Sequence, residues 1–172
     1  MYYAAKDINM EVVLLCLDGS PKNIDRTVKS FVNFNNKYEF FVVIPQNSSL
    51  SEFYYPTYKS NNCITCMINE SFNKAKAEWL YFIFSGTSIK KNIDTKLSRY
   101  INNFSDVIFP VVDRVWNFVD GSVNGLLLNK NFFNTVGNFL TGNDLKLTKL
   151  EWADRAITKG AKFKAIVQAL DV

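Results

Sequence analysis

The chain has 172 residues, 48% of them hydrophobic and 21% charged, enough to bury one core and too few for two full-sized domains. Its 20 Lys and Arg and 16 Asp and Glu are scattered, so the net charge of +4 forms no basic stripe and points away from nucleic acid. Histidine is absent, which excludes a Ser-His-Asp triad, a Cys-His pair and an imidazole metal site, and leaves acid–base work to carboxylates.

Residues 1–7 lack the basic start and long apolar stretch of a secretory signal. The longest apolar runs, 11–17 and 79–84, are of strand length and far below the roughly 20 residues of a membrane helix. A soluble, cytoplasmic protein with no membrane span is expected. Residues 12–17 read as a buried strand stopped by Asp18-Gly19-Ser20-Pro21. Ile24, Val28, Phe31 and Val32 recur at helical spacing, with Asn23 and Asp25 placed to cap, and the helix is expected to end near Asn35 and Asn36. Residues 39–44 form a second strand, rich in β-branched and aromatic side chains and stopped by Pro45. Strand, helix, strand suggests a parallel crossover.

A polar connection over 46–62 leads to a short strand expected at 63–68 and a helix at 70–77. Residues 79–84 are the most apolar strand, expected at the centre of the sheet with helices on both faces. A helix over 93–101 and strands over 106–112 and 125–128 follow. The last helix, 147–159, presents Leu147, Leu150, Ala153, Ala156 and Ile157 on one face and ends at Gly160, before a final strand at 162–167. The pattern is α/β in one domain. Cys16, Cys63 and Cys66 are an odd number of cysteines, which argues against a disulfide framework and for buried thiols. Cys63-Ile-Thr-Cys66 has the spacing of a redox pair or half a zinc site, but no second pair completes the zinc site. A redox role requires both thiols to be accessible and one to have a depressed pKa.

In an open parallel sheet, ligands bind beyond the carboxyl ends of the strands. That directs attention to Asp18 to Ser20, Gln46 to Ser49 and Ser85 to Ser88. Each cluster is also the ordinary composition of a turn.

An ordered series of segments resembles the family 2-like glycosyltransferases of the GT-A fold. The strand at 12–17 with Thr27-Val-Lys-Ser-Phe31 resembles the family's opening strand and helix. Val42-Val-Ile-Pro-Gln-Asn-Ser-Ser49 resembles its second strand and nucleotide-contacting loop. Asn69-Glu-Ser-Phe-Asn-Lys-Ala-Lys-Ala-Glu-Trp-Leu80 is the best match, to the segment leading into the central strand. Gly125-Leu-Leu-Leu-Asn-Lys-Asn-Phe-Phe-Asn-Thr-Val-Gly-Asn-Phe139 resembles a strand, basic pair and Val-Gly-Gly-Phe turn, and Glu151-Trp-Ala-Asp-Arg155 before Gly160 its late Asp-Leu-x-x-Arg helix. The resemblance implies a three-layer α/β sandwich with a mostly parallel central sheet that binds a nucleotide sugar, UDP- or GDP-linked. It implies donor contacts from Asp18, Gln46, Asn47, Ser85, Gly86 and Thr87.

Three acidic positions of the family pattern are replaced. The metal-binding Asp-x-Asp falls on Phe84, Gly86 or Thr87, and Ser85-Gly86-Thr87 is similar to a Ser-Gly-Asp variant without its acid. A neutral hydroxyl is a poor anchor for magnesium or manganese, so no metal site is expected. The nucleotide-reading Asp after the second strand falls on Pro45 or Gln46. The Glu-Asp pair that supplies the base falls on Thr148 and Lys149, leaving Glu151 and Asp144 as the candidate catalytic carboxylates. On the acceptor side the resemblance brings Asp113, Arg114, Trp116 and Asp120, with Trp116 able to stack on a sugar ring or to pack. Two readings follow: a minimal glycosyltransferase that balances phosphate charge with Lys or Arg, or a non-catalytic binding or scaffold protein on the same fold.

Overall fold

A computed structural model describes residues 8–31, 38–50, 55–90, 93–101, 105–111, 114–167 and 170–171. The elements run β1 (Met10–Leu15), α1 (Pro21–Phe31), β2 (Glu39–Pro45), β3 (Thr57–Ser60), α2 (Ile64–Lys74), β4 (Trp79–Phe84), β5 (Ser88–Ile89) and α3 (Ile93–Ile101). Then come β6 (Val107–Val111), β7 (Leu126–Asn129), α4 (Lys130–Val136), α5 (Leu145–Thr158), β8 (Phe163–Val167) and β9 (Leu170–Asp171). Seven strands form one sheet in the order β3-β2-β1-β4-β7-β6-β8. β7 alone runs against its two neighbours, and the other pairings are parallel. β5 and β9 make a separate antiparallel pair.

The two strands read as buried apolar runs lie side by side, Met10 opposite Trp79 through Leu15 opposite Phe84. Both are covered on two faces, which is why neither alternates with polar residues. Val13, Leu15, Leu80 and Phe82 pack under Met67 and Phe72 of α2, Phe133 of α4 and Trp152 of α5. Val12, Leu14, Tyr81 and Ile83 pack under Ile24 and Val28 of α1 and Leu97 of α3. The result is a three-layer α/β sandwich. Phe72 and Phe133 stack with centroids 3.7 Å apart, so one aromatic contact ties α2 to α4 over the central strand.

Several local expectations are corrected. Residues 63–68 do not form a strand. Cys63 is the N-cap of α2, and Met67, Ile68, Ser71 and Phe72 are buried at helical spacing; a short apolar run cannot separate the two periods. The strand expected there lies earlier, at β3, inside the connection read as polar. Cys63 and Cys66 are not buried free thiols either: they are half-buried and joined by a disulfide, while Cys16 is free and buried. Helix α1 starts at Pro21, earlier than the Asn23 and Asp25 caps implied, because proline's fixed φ suits a first helical position. Residues 130–136, read only as part of a strand-and-turn motif, form α4, capped by the Asn129 side chain.

The face of α5 is only in part the one expected: Ala153 and Ala156 are buried, but the three larger side chains are not. Leu147, Leu150 and Ile157 are 60%, 46% and 62% exposed, and Thr148, Lys149, Trp152, Ala153 and Ala156 face the core. Val112 and the end of the first helix near Asn35 and Asn36 lie outside the described residues, as does residue 113.

Candidate functional site

Three loops meet at the carboxyl ends of β1, β2 and β4. Asp18 follows β1, and its carboxylate accepts the Ser20 N–H at 3.0 Å, the Asn23 side-chain amide at 2.7 Å and the Cys16 thiol at 3.4 Å. These donors, the Ser20 N–H foremost, hold the Asp18 carboxyl below the usual carboxylate range. Burial, with Asp18 beside it, pushes the Cys16 thiol up.

Asn23 carries the connection to the third loop. Its main-chain oxygen accepts the Gly86 N–H at 3.0 Å, a proton shared with Thr27 Oγ1 at 2.8 Å. Gly86 has φ of +94°, a conformation that side-chain-bearing residues rarely take. The second loop approaches from the other side: a Cβ on Gly19 would stand 2.8 Å from Ser48 Oγ, so a side chain there would turn the Ser48 hydroxyl away, and the φ of +62° at Gly19 favours glycine. The Gln46 N–H continues the ladder to Ser60 O at 2.7 Å, and the Gln46 and Asn47 residues remain exposed. Asp18, Gln46, Asn47, Ser85 and Gly86 therefore ring one end of the sheet. Thr87 stands behind it, buried, with Oγ1 accepting the Asn124 amide at 3.0 Å while Asn124 Oδ1 accepts the Phe84 N–H.

The candidate catalytic carboxylates are engaged elsewhere. Asp144 caps α5 by accepting the Leu147 N–H at 3.0 Å. Glu151 grips Arg155 with both oxygens, at 2.5 and 2.9 Å, and Arg155 also donates to Val136 O and Asn138 O. Of the residues expected on an acceptor side, Trp116 is 64% exposed. Asp120 pairs with Lys146 at 2.5 Å and accepts from Asn117; the Lys146 amine, foremost, lowers its carboxyl. Lys149 is buried and donates to Phe118 O at 3.0 Å and to Gly121 O, and burial pushes its amine down to about 8.

Sequence reasoning missed Asn124 as a site-shaping residue, read Asn23 only as a cap and Lys149 only as the replacement of a family acid; Asn124 and Lys149 bond to segments far apart in the chain, which no local spacing signals. Among the described residues, no group of three or more His, Cys, Asp or Glu is placed to hold a metal ion, and no helix is long and apolar enough to cross a membrane.

The architecture matches solved structures along almost its whole length. S. aureus TarS 1–349 superposes with a TM-score of 0.62 at 15% identity, covering 95% of this chain and 59% of that one. The mannosyltransferase PcManGT from Pyrobaculum calidifontis, in complex with GDP-Man and Mn2+, gives 0.65 at 11% identity, covering 94% and 56%. TarS 1–349 in complex with UDP-GlcNAc gives 0.61 at 15%, covering 95% and 57%. This is a GT-A fold. The chain spans a little over half the length of those structures, and at such identities the likeness is one of fold. No protein-family model matches the sequence, and no curated protein matches it. Within the GT-A frame, Asp18, Gln46, Ser85 and Gly86 occupy the carboxyl ends of parallel strands, where open α/β sheets receive ligands.

Proposed function

We propose that this chain is a glycosyltransferase-like protein that binds a UDP- or GDP-linked sugar across the loops after β1, β2 and β4, without a divalent cation. The observation that carries this reading is the joining of the loops after β1 and β4 through Asp18, Asn23 and Gly86, with the loop after β2 brought close at Gly19 and Ser48. Such a preformed rim offers a carboxylate and two exposed amides to a nucleotide at low ordering cost. Metal independence is supported by the donor set: Ser85 and Thr87 bring neutral hydroxyls, and the Thr87 oxygen already serves Asn124.

A second reading, a non-catalytic binding or scaffold protein, is favoured by the engagement of both candidate bases. A general base must reach the acceptor hydroxyl with a free lone pair, whereas Asp144 caps a helix and Glu151 holds Arg155.

Calorimetric titration with UDP, GDP, UDP-GlcNAc and GDP-mannose, each with and without manganese, tests the proposal. Micromolar binding that is indifferent to manganese and weakened about tenfold by Asp18→Ala is expected, the loss due to one charged hydrogen-bonding group. Absence of binding to every nucleotide sinks it. Binding with no released nucleoside diphosphate in the presence of candidate acceptors favours the non-catalytic reading.

A further inference from the structure

The nucleotide-binding reading leaves Cys63 and Cys66 unused. Cys63 is the N-cap of α2, in extended conformation, and Cys66 lies in the first helical turn with its N–H directed at Cys63 Sγ at 3.0 Å. Their Cα atoms are 5.1 Å apart and their sulfurs are bonded, a separation that a disulfide spans without backbone movement. Both residues are half-buried, in contrast to the fully buried Cys16. Thr65 Oγ1 stands 3.5 Å from Cys63 Sγ.

We propose that Cys63 and Cys66 form a reversible dithiol–disulfide site that exchanges with low-molecular-weight disulfides of the glutathione class, with Cys63 as the nucleophile. The nucleophile in such exchange is a thiolate. A helix N-terminus presents unpaired N–H groups and a positive dipole end, and Cys63 is the sulfur placed to receive both, as the Cys66 N–H already shows. Cys66, inside the first turn, stands one helical turn away as the resolving thiol.

In the oxidative direction the Cys63 thiolate attacks one sulfur of the small disulfide. That S–S bond breaks, a mixed disulfide forms on Cys63, and the first small thiolate leaves and takes a proton. Cys66 then loses its proton and attacks Cys63 Sγ, closing the protein disulfide and expelling the second small thiol. Two electrons pass from the protein dithiol to the small disulfide, which ends as two thiols. Reduction runs through the same mixed disulfide in reverse.

The test uses the whole chain and needs no nucleotide. Wild-type protein is equilibrated with reduced or oxidised glutathione, labelled with iodoacetamide, and mapped by peptide mass spectrometry. Cys66→Ser and Cys63→Ser are compared in parallel, serine at 63 retaining a capping oxygen for α2. The expected results are closure of the wild-type pair in oxidised glutathione and reopening in reduced glutathione. Cys66→Ser should accumulate a mixed disulfide on Cys63 about tenfold faster than Cys63→Ser does on Cys66, the consequence of a larger thiolate fraction at the cap. Cys16 stays unlabelled as the buried control. The proposal is overturned if the wild-type sulfurs remain open to labelling after oxidised glutathione, or do not reopen in reduced glutathione. It is also overturned if the two variants exchange at equal rates while circular dichroism shows both folded.

Discussion

The Asn69 side chain clasps the main chain of Phe139, its amide donating to Phe139 O at 2.8 Å and its oxygen accepting the Phe139 N–H at 2.9 Å. The clasp is buried and spans 70 residues of sequence, joining α2 to the turn after α4. Removing it strands a peptide N–H and a C=O in the core. Asn69→Ala is expected to lose about 2 to 4 kcal/mol in urea unfolding. Asn69→Asp is expected to lose at least as much, since a carboxylate cannot donate to Phe139 O.

Glu151 and Arg155 are a structural pair, so the two substitutions should separate stability from binding. Each side chain is about a third exposed, and Glu151→Gln should cost no more than about 1 kcal/mol. Arg155→Ala should cost more, about 2 kcal/mol, because Val136 O and Asn138 O lose their donor as well. Thermal melts check the order, and calorimetry checks that nucleotide affinity is unchanged by Glu151→Gln.

Lys149 gives the chain a stability that rises in alkali. Its amine is depressed to about 8 in the fold against about 10.4 in the unfolded chain. Between those values the unfolded state binds more protons, so stability increases with pH. The gain is complete above the unfolded value and is lost as pH falls through about 8. Wild type should gain up to about 1.4 kcal/mol per pH unit relative to Lys149→Met between pH 8 and 10. Denaturant midpoints across that range measure it, and parallel curves for the two proteins would contradict it.

Tyr81 sits in the middle of the sheet with its hydroxyl buried and without a hydrogen-bond partner among the described residues, and burial pushes the phenol well up. Tyr81→Phe removes an unsatisfied oxygen and little else. It should stabilise the protein by about 1 kcal/mol, read as a higher urea midpoint at unchanged slope.

The alternation of strands and helices was legible because β4 is apolar along its whole length, β1 is apolar from Val12 to Leu15, and their stops are turn residues. The expected bounds 79–84 and 93–101 match β4 and α3. The segments that carried the family resemblance prove to hold the scaffold: Asn69 and Phe139 form the clasp, and Glu151 and Arg155 secure the turn at Val136. Loops at the strand ends could be named from sequence, since Asp18, Gln46 and Ser85 follow apolar runs.

What sequence alone determined is the set of local preferences: which runs are too apolar to face water, where glycine and proline stop them, and which carboxylates are missing from the expected motifs. Tertiary structure decided which of two helical stripes on α5 is buried. It chose Trp152 with Lys149 over Leu147 with Ile157, because Trp152 packs on Phe118, Phe133 and Phe139 while the carbonyl of Phe118 accepts from the Lys149 amine. It also made Cys63 a helix cap and withdrew Thr87 behind Asn124. The burial of Lys149 and of Thr87 depends on partners 31 and 37 residues away, whose arrival no local periodicity encodes.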